Sequence, residues 1–225
     1  MSKNERDFEK NLEKAQQLNL TSPPDAEKML RKLLNQILTE IEKIKVQIEL
    51  GRSLNKQGKH EEAQQFYEEA YTRARNQEFK YQKADALEGL ATIDHDLGNI
   101  ERGLERSQQA LEIFQKLGNK LKETQATNTI ARLHYTRGDL QKALKWFDRT
   151  LQLAKETKND LDSLRALNNI ANIYSSRGDF EDAAEYYAKS VELAEKLNYT
   201  HAMCITRSNL AEVQAFMGDY IESHK

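Results

Sequence analysis

The chain has 225 residues, and 34 basic against 36 acidic residues leave a formal net charge of −2, so nothing overall draws it to nucleic acid or to an anionic membrane surface. Its single cysteine, Cys204, excludes an intrachain disulfide and a cysteine-rich zinc site and suits a reducing compartment. Two prolines and nine glycines are too few for a sheet with many turns and fit long helices with short joints.

In chain order, the first 20 residues are charged throughout and lack the apolar core of a signal peptide, so a cytoplasmic location is expected. No later run reaches the roughly 18 apolar residues of a membrane span. Phe8, Leu12, Ala15 and Leu18 recur at helical spacing; Pro23-Pro24 interrupts; Ala26, Leu30, Leu33, Leu34 and Ile37 resume the pattern. Residues 3–42 therefore read as a degenerate helix pair that caps the rest of the chain.

From there a fixed period takes over. Gly58, Gly98, Gly138, Gly178 and Gly218 are each 40 residues apart. Seven positions before each glycine stands a small residue (Gly51, Ala91, Ala131, Ala171, Ala211), and five after it another (Ala63, Gly103, Ala143, Ala183, Ser223). Nine after come Tyr67, Ser107, Phe147 and Tyr187. The reading is one domain of full repeats at 43–82, 83–122, 123–162 and 163–202, with a partial fifth at 203–225. The last stops inside what should be a second helix, which leaves open a fragment of a longer protein or an abrupt end.

Each repeat reads as two helices. Residues 163–177 place Leu167, Ile170, Ala171 and Tyr174 on one face, and Gly178 ends that helix in the left-handed conformation it tolerates. Asp179 then serves as N-cap, as do Asn99, Asp139 and Asp219 in their repeats. The second helix buries Phe180, Ala183, Tyr187, Val191 and Ala194. One such pair buries too little surface to stand alone, so repeats must stack and present a concave face lined by the first helices.

The columns Leu167, Ile170-Ala171, Tyr174, Gly178, Phe180, Ala183 and Tyr187 resemble the tetratricopeptide repeat (TPR) over residues 43–223. The usual unit is about 34 residues. The longer unit here, and the absence of the family's proline where Arg75, Gln115, Lys155 and Glu195 stand, are similar to the repeats of kinesin light chains and LGN-type adaptors. The resemblance implies an all-α, right-handed superhelical solenoid of antiparallel helix pairs, a non-enzymatic scaffold that binds extended segments of partner proteins.

Groove positions lie 13, 10, 9, 6, 3 and 2 residues before each glycine, one helical face. Lys45, Glu49, Arg52, Asn55 and Lys56 come from the first repeat; Asp85, Glu88, Thr92, His95 and Asp96 from the second; Gln125, Asn128, Arg132 and Tyr135 from the third. The fourth adds Arg165, Asn168, Asn169, Asn172 and Ser175, and the fifth Ser208, Asn209 and Glu212. Asparagine offers a donor and an acceptor to a peptide backbone, and arginine a fork for carboxylate oxygens. The expected peptide contacts are Arg52, Asn128, Arg132, Arg165, Asn168, Asn169, Asn172 and Asn209, with the ligand's acidic group near Arg132 and Arg165. Three asparagines within Asn168–Asn172 cost helix propensity and want a reason. The acidic stretch Asp85, Glu88 and Asp96 suits a basic ligand residue.

One variant of the family holds chaperone C-termini with two lysines, two asparagines and an arginine. In one frame this chain has Ile48, Arg52, Gly89, Gln125 and Thr129, in the next Glu88, Thr92, Thr129, Arg165 and Asn169, and neither reproduces that set.

Catalytic chemistry finds no footing. The side chains of Asp94, His95 and Asp96 diverge by about 100° per residue on a helix and cannot converge on one metal. His134 stands in the packing column of Tyr174, Trp146 is expected at a junction with a neighbouring repeat, and Cys204 reads as a small packing residue. No phosphate loop, nucleophile elbow or paired-histidine zinc motif is present. No cofactor, nucleic acid or membrane is expected. Besides the adaptor reading, two others stand: a sensor module whose output domain lies beyond Lys225, and self-association through Ala215, Phe216, Met217 and Tyr220.

Overall fold

A computed structural model describes the backbone of residues 3–36 and 38–223, and their side chains except at 3–5, 201 and 219–223. Ile37 and the side chains of Asp219, Tyr220 and Ser223 thus lie outside the described residues. Every regular element among the described residues is a helix. In order these are α1 (Lys3–Thr21), α2 (Pro23–Leu34), α3 (Glu40–Lys56), α4 (His60–Asn76), α5 (Lys80–Asp96), α6 (Ile100–Lys116), α7 (Lys120–Thr136), α8 (Leu140–Glu156), α9 (Asp160–Arg177), α10 (Phe180–Lys196) and α11 (Thr200–Ser223). They form two compact units, one of residues up to 118 and one from 119 onward. Within each unit consecutive helices pack on one another.

From α3 on, a helix begins every 20 residues, so the 40-residue repeat is two helix-and-turn steps of equal length. Each step turns on one left-handed residue. Between the helices of a repeat it is Gly58, Gly98, Gly138 or Gly178; between repeats it is Glu78, Gly118, Lys158 or Asn198. The turns are closed by backbone bonds that reach back five residues, such as Lys59 N–H to Leu54 O (3.0 Å), Phe79 to Ala74 (2.9 Å) and Asp179 to Tyr174 (3.0 Å). Pro23 and Pro24 sit in the first turn of α2, where a missing N–H costs nothing.

Two local expectations change. Asn99, Asp139 and Asp179 occupy N-cap positions without a side-chain cap bond. Asp139 and Asp179 are turned instead toward Arg137 and Arg177, two residues back across the glycine. Side-chain caps appear on first helices: Thr39 forms a capping box with Glu42, and Asn119 and Asn159 accept from Lys122 and Asp162 N–H. The first helices accordingly begin at Glu40, Lys80, Lys120 and Asp160, three residues before the boundaries read from the glycines. Gly218 ends nothing: α11 runs through it to Ser223, so Asp219 caps no helix start there. Glycine permits the left-handed turn, but in the other repeats a second helix folding back onto the first holds it there.

The small columns let helices approach. Ala63, Ala91, Ala131, Ala143, Ala171 and Ala183 are fully buried. Gly51 and Gly89 flank the ring of Tyr67, where an added Cβ would come within 2.8 Å and 2.2 Å of ring atoms. Phe8, Leu12, Ala15, Ala26, Leu30 and Leu33 join Val46 and Leu50 of α3, so the N-terminal pair does cover the end of the first full repeat. Trp146 packs with Tyr174 and Tyr186 against the α8–α9 core, at the expected junction between repeats.

Candidate functional site

In the first unit the groove column is filled by its own charges. Arg52 donates to Glu49 and, at 2.6 Å, to Asp85 on α5. Burial disfavours its charged form, but Asp85 and Glu49 outweigh that and hold the guanidinium well above its ordinary pKa. Glu49 also accepts from Asn19 (3.2 Å) and Gln16 (2.9 Å) on α1, and Glu88 from Ser107 (2.9 Å) on α6. Asp96 accepts from Asn55 at 3.3 Å. Burial raises the pKa of Tyr67 beside these groups, Arg52 partly offsetting it. Arg52 is thus an internal strut between α3 and α5 of the first unit.

The second unit brings those others together. Asn128 and Arg132 on α7, Arg165, Asn168 and Asn169 on α9, and Thr206 on α11 line one pocket of about 420 Å³. Successive first helices place these side chains side by side because their columns share one face. Arg165 is exposed, held only by Asp162 one turn back at 3.2 Å. The Asn168 oxygen accepts from Thr206 (3.3 Å), which turns the Asn168 amide N–H groups away from α11. The Asn128 Oδ1 is buried, with no hydrogen-bond partner among the described residues. Asn172 and Asn209 do not line this pocket; the Tyr187 hydroxyl on α10 donates to the Asn172 oxygen at 2.6 Å.

The pocket has an apolar wall that the sequence reading missed: Leu164, Tyr199, Ala202 and Ile205. Tyr199 and Ile205 are 42% and 47% exposed, so both present apolar surface to the pocket. A signal existed for Ile205, which stands 13 residues before Gly218, in the column of Arg165. Tyr199 lies in a turn outside every column.

Elsewhere the chemistry-bearing side chains are structural. Asp94 is fully buried and accepts from Arg102 (2.6 Å) and Arg106 (2.7 Å) on α6, while His95 turns the other way to Asp96 (3.1 Å). Burial depresses the pKa of His134, with Asp139 opposing. Among the described residues no three His, Cys, Asp or Glu side chains gather to hold a metal. No helix among them is long and apolar enough to cross a membrane. Cys204 is exposed, not packed. Phe216 stacks on Phe180 (centroids 5.5 Å apart) and stays 47% exposed; Met217 packs against the α9–α10 core.

Paired helices on a 20-residue step, small residues at their crossings and a polar stripe on the first helices define a helical repeat scaffold. The tetratricopeptide repeat model matches in four overlapping registers, 42–116, 82–156, 122–196 and 162–225, and the chain belongs to that family. No curated protein matches it in sequence. Among solved structures it is similar to a Rap protein complexed with competence and sporulation factor (20% identity, TM-score 0.72), over 87% of this chain and 54% of that one. It is similar to NprR in complex with its cognate peptide NprX (19%, TM-score 0.67), over 99% of this chain and 68% of that one. Kinesin light chain TPR-like repeats from Podosopora anserina match at 16% and TM-score 0.65, over 88% of this chain and all of that one. The chain spans about half the length of the Rap protein. At such identities the likenesses speak for the fold.

Proposed function

We propose that the second unit is a non-enzymatic peptide-binding module that takes an extended, partly acidic segment of a partner protein. The observation that carries this reading is one pocket in which Arg132, Arg165, Asn128, Asn168 and Asn169 converge on an apolar wall. Arg132 and Arg165 take the acidic group, Asn128 a backbone N–H, and Tyr199 and Ile205 an apolar side chain beside it. Arg52 is left out of the contact set, since reaching a ligand would break its pairs with Glu49 and Asp85. The NprR–NprX complex lends support by showing that a similar fold takes a peptide. The partial span of the Rap protein supports a second reading, in which the same pocket serves as sensor for a further domain; the gene sequence past codon 225 separates the two.

The test is charge reversal. Peptides are selected by phage display on the wild-type protein and measured by calorimetry against R132E/R165E. Two charge-assisted contacts at about 1.5 kcal/mol each predict binding about a hundredfold weaker. Unchanged affinity in a variant with a native circular dichroism spectrum refutes the pocket.

A further inference from the structure

The pocket on α7, α9 and α11 is lopsided in charge and in polarity. Its lining carries two guanidinium groups, Arg132 and Arg165, and no carboxylate. Asp162, outside the lining, holds Arg165 Nη1 at 3.2 Å from one turn back, but the arginine side chain stays 55% exposed, so that contact leaves most of its donors for other partners. Asn168 adds to them: its oxygen accepts from Thr206, so its N–H₂ is left to offer. The apolar groups lie to one side. Ile205 stands in the column of Arg165, one first helix further on, and Tyr199 lies in the turn before α11. The cationic and apolar ends of the pocket are therefore about one helix spacing apart, on the order of 10 Å.

Charge decides the class of anion. One carboxylate brings a single negative charge to two guanidinium groups, and a charge left uncompensated where the ligand displaces water is costly. A phosphate monoester brings about −1.5 to −2 and three acceptor oxygens, enough for both arginines and an amide N–H. Reach decides what carries the phosphate. Phosphoserine and phosphothreonine hold it close to the main chain and bring little apolar surface; phosphotyrosine holds it across an aromatic ring. We infer that the anionic group this pocket takes is the phosphate of a phosphotyrosine in the bound segment, the phosphate on Arg132, Arg165 and the Asn168 N–H₂, the ring against Tyr199 and Ile205. The inference rests on the peptide-binding reading above and narrows it: the acidic group and the apolar side chain belong to one residue. Phosphorylation of the partner then creates the ligand, and dephosphorylation removes it.

The probes are synthetic peptide pools, blocked at both ends so that no terminal charge competes. Each is fixed at its centre as phosphotyrosine, tyrosine, phosphoserine or a Glu-Glu pair, and randomised elsewhere without acidic residues. Binding is read by fluorescence polarisation. The phosphotyrosine pool is expected to bind about a hundredfold tighter than the tyrosine pool, the size of two charge-assisted hydrogen bonds, and at least about tenfold tighter than the other two. In R132Q/R165Q with a native circular dichroism spectrum it should fall to the level of the tyrosine pool. A Glu-Glu or phosphoserine pool that binds as tightly as phosphotyrosine overturns the inference while leaving the peptide-binding reading standing. A preference for phosphotyrosine that survives R132Q/R165Q also overturns it. If no pool binds, or if phenyl phosphate alone binds as tightly as the phosphotyrosine pool, the peptide-binding reading falls as well.

Discussion

Gly89 offers a prediction whose sign runs against helix propensity. It lies inside α5, where glycine is about 1 kcal/mol worse than alanine, so Gly89→Ala in an open helix stabilises. Here the new Cβ comes to 2.2 Å from Tyr67 Cε1 and 2.4 Å from its Cζ, so the ring must move by more than an ångström. It has little room the other way, because the α3 backbone lies close behind it (even a Cβ at Gly51 would stand 2.8 Å from the ring), and the side chain is 3% exposed. Overpacking of this kind costs about 3 kcal/mol, the upper end of the usual range, which leaves a net loss of about 2 kcal/mol after the propensity gain. For a chain of this size that lowers Tm by about 4–8 °C, read by circular dichroism. Tyr67→Ala supplies the control. It is itself destabilising by about 3–5 kcal/mol, but in its background Gly89→Ala should change sign and stabilise by about 1 kcal/mol. A Gly89→Ala protein that melts at or above the wild type, or one whose effect is the same with and without Tyr67, refutes the reasoning.

Other outcomes rest on single contacts. Asp94→Asn removes a fully buried carboxylate that accepts from two arginines, and is expected to cost about 3 kcal/mol by denaturant titration, the low end for a buried pair because Arg102 and Arg106 keep contact with water. The pKa of His134 is depressed on folding, so the unfolded chain binds the extra proton: the stability from its neutral form is complete above the ordinary value of 6.5 and is lost as pH falls below it. The drop in Tm from pH 7.5 to about 5 should therefore be smaller in His134→Phe than in the wild type. Lys158 holds a left-handed turn at φ 53°, and Lys158→Gly should gain about 1 kcal/mol in the same titration. Cys204, being exposed, should react with a thiol reagent in the native protein as fast as in the unfolded one, and Cys204→Ser should leave Tm unchanged.

The fold was legible because it is written as a period. The glycines and small residues recur at fixed spacing, and steric demand at a helix crossing leaves few alternatives to Ala131, Ala143, Ala171 and Ala183. The turns between repeats were less legible because Glu78, Lys158 and Asn198 do the work that Gly118 does, and only Gly118 announces it. The Asp caps failed for a local reason, an arginine two residues back that competes for the carboxylate at Asp139 and Asp179. Seven of the eight expected contact residues fall in the second unit, five of them in one pocket. Column position identifies which face a side chain takes, but not what is already on that face, and the pairing of Arg52 was not legible on that account: its partners Glu49 and Asp85 come from different helices.

The contrast between the units turns on one column. Nine residues after the repeat glycine stand Tyr67 and Tyr187, chemically the same residue. Tyr67 faces Gly89, which has no side chain, so the ring advances to the α5 backbone beside Arg52, Asp85 and Glu49. In the place of Gly89 the second unit has Asn209, and Tyr187 donates its hydroxyl proton to Asn172 on α9 at 2.6 Å. Gly89 and Asn209 stand at equivalent places, nine residues before Gly98 and Gly218. With a glycine there the tyrosine lies in against helix backbone next to an internal charge network; with an asparagine there its hydroxyl goes to Asn172 on the first helix of its own repeat. The residue opposite the tyrosine, more than the tyrosine itself, therefore decides whether a repeat closes on itself or keeps polar groups to offer. Asn209→Gly tests this in the second unit: the Tyr187 ring should then shift and give up its bond to Asn172 in a crystal structure, and a ring left in its present place would show that the opposing residue does not set it.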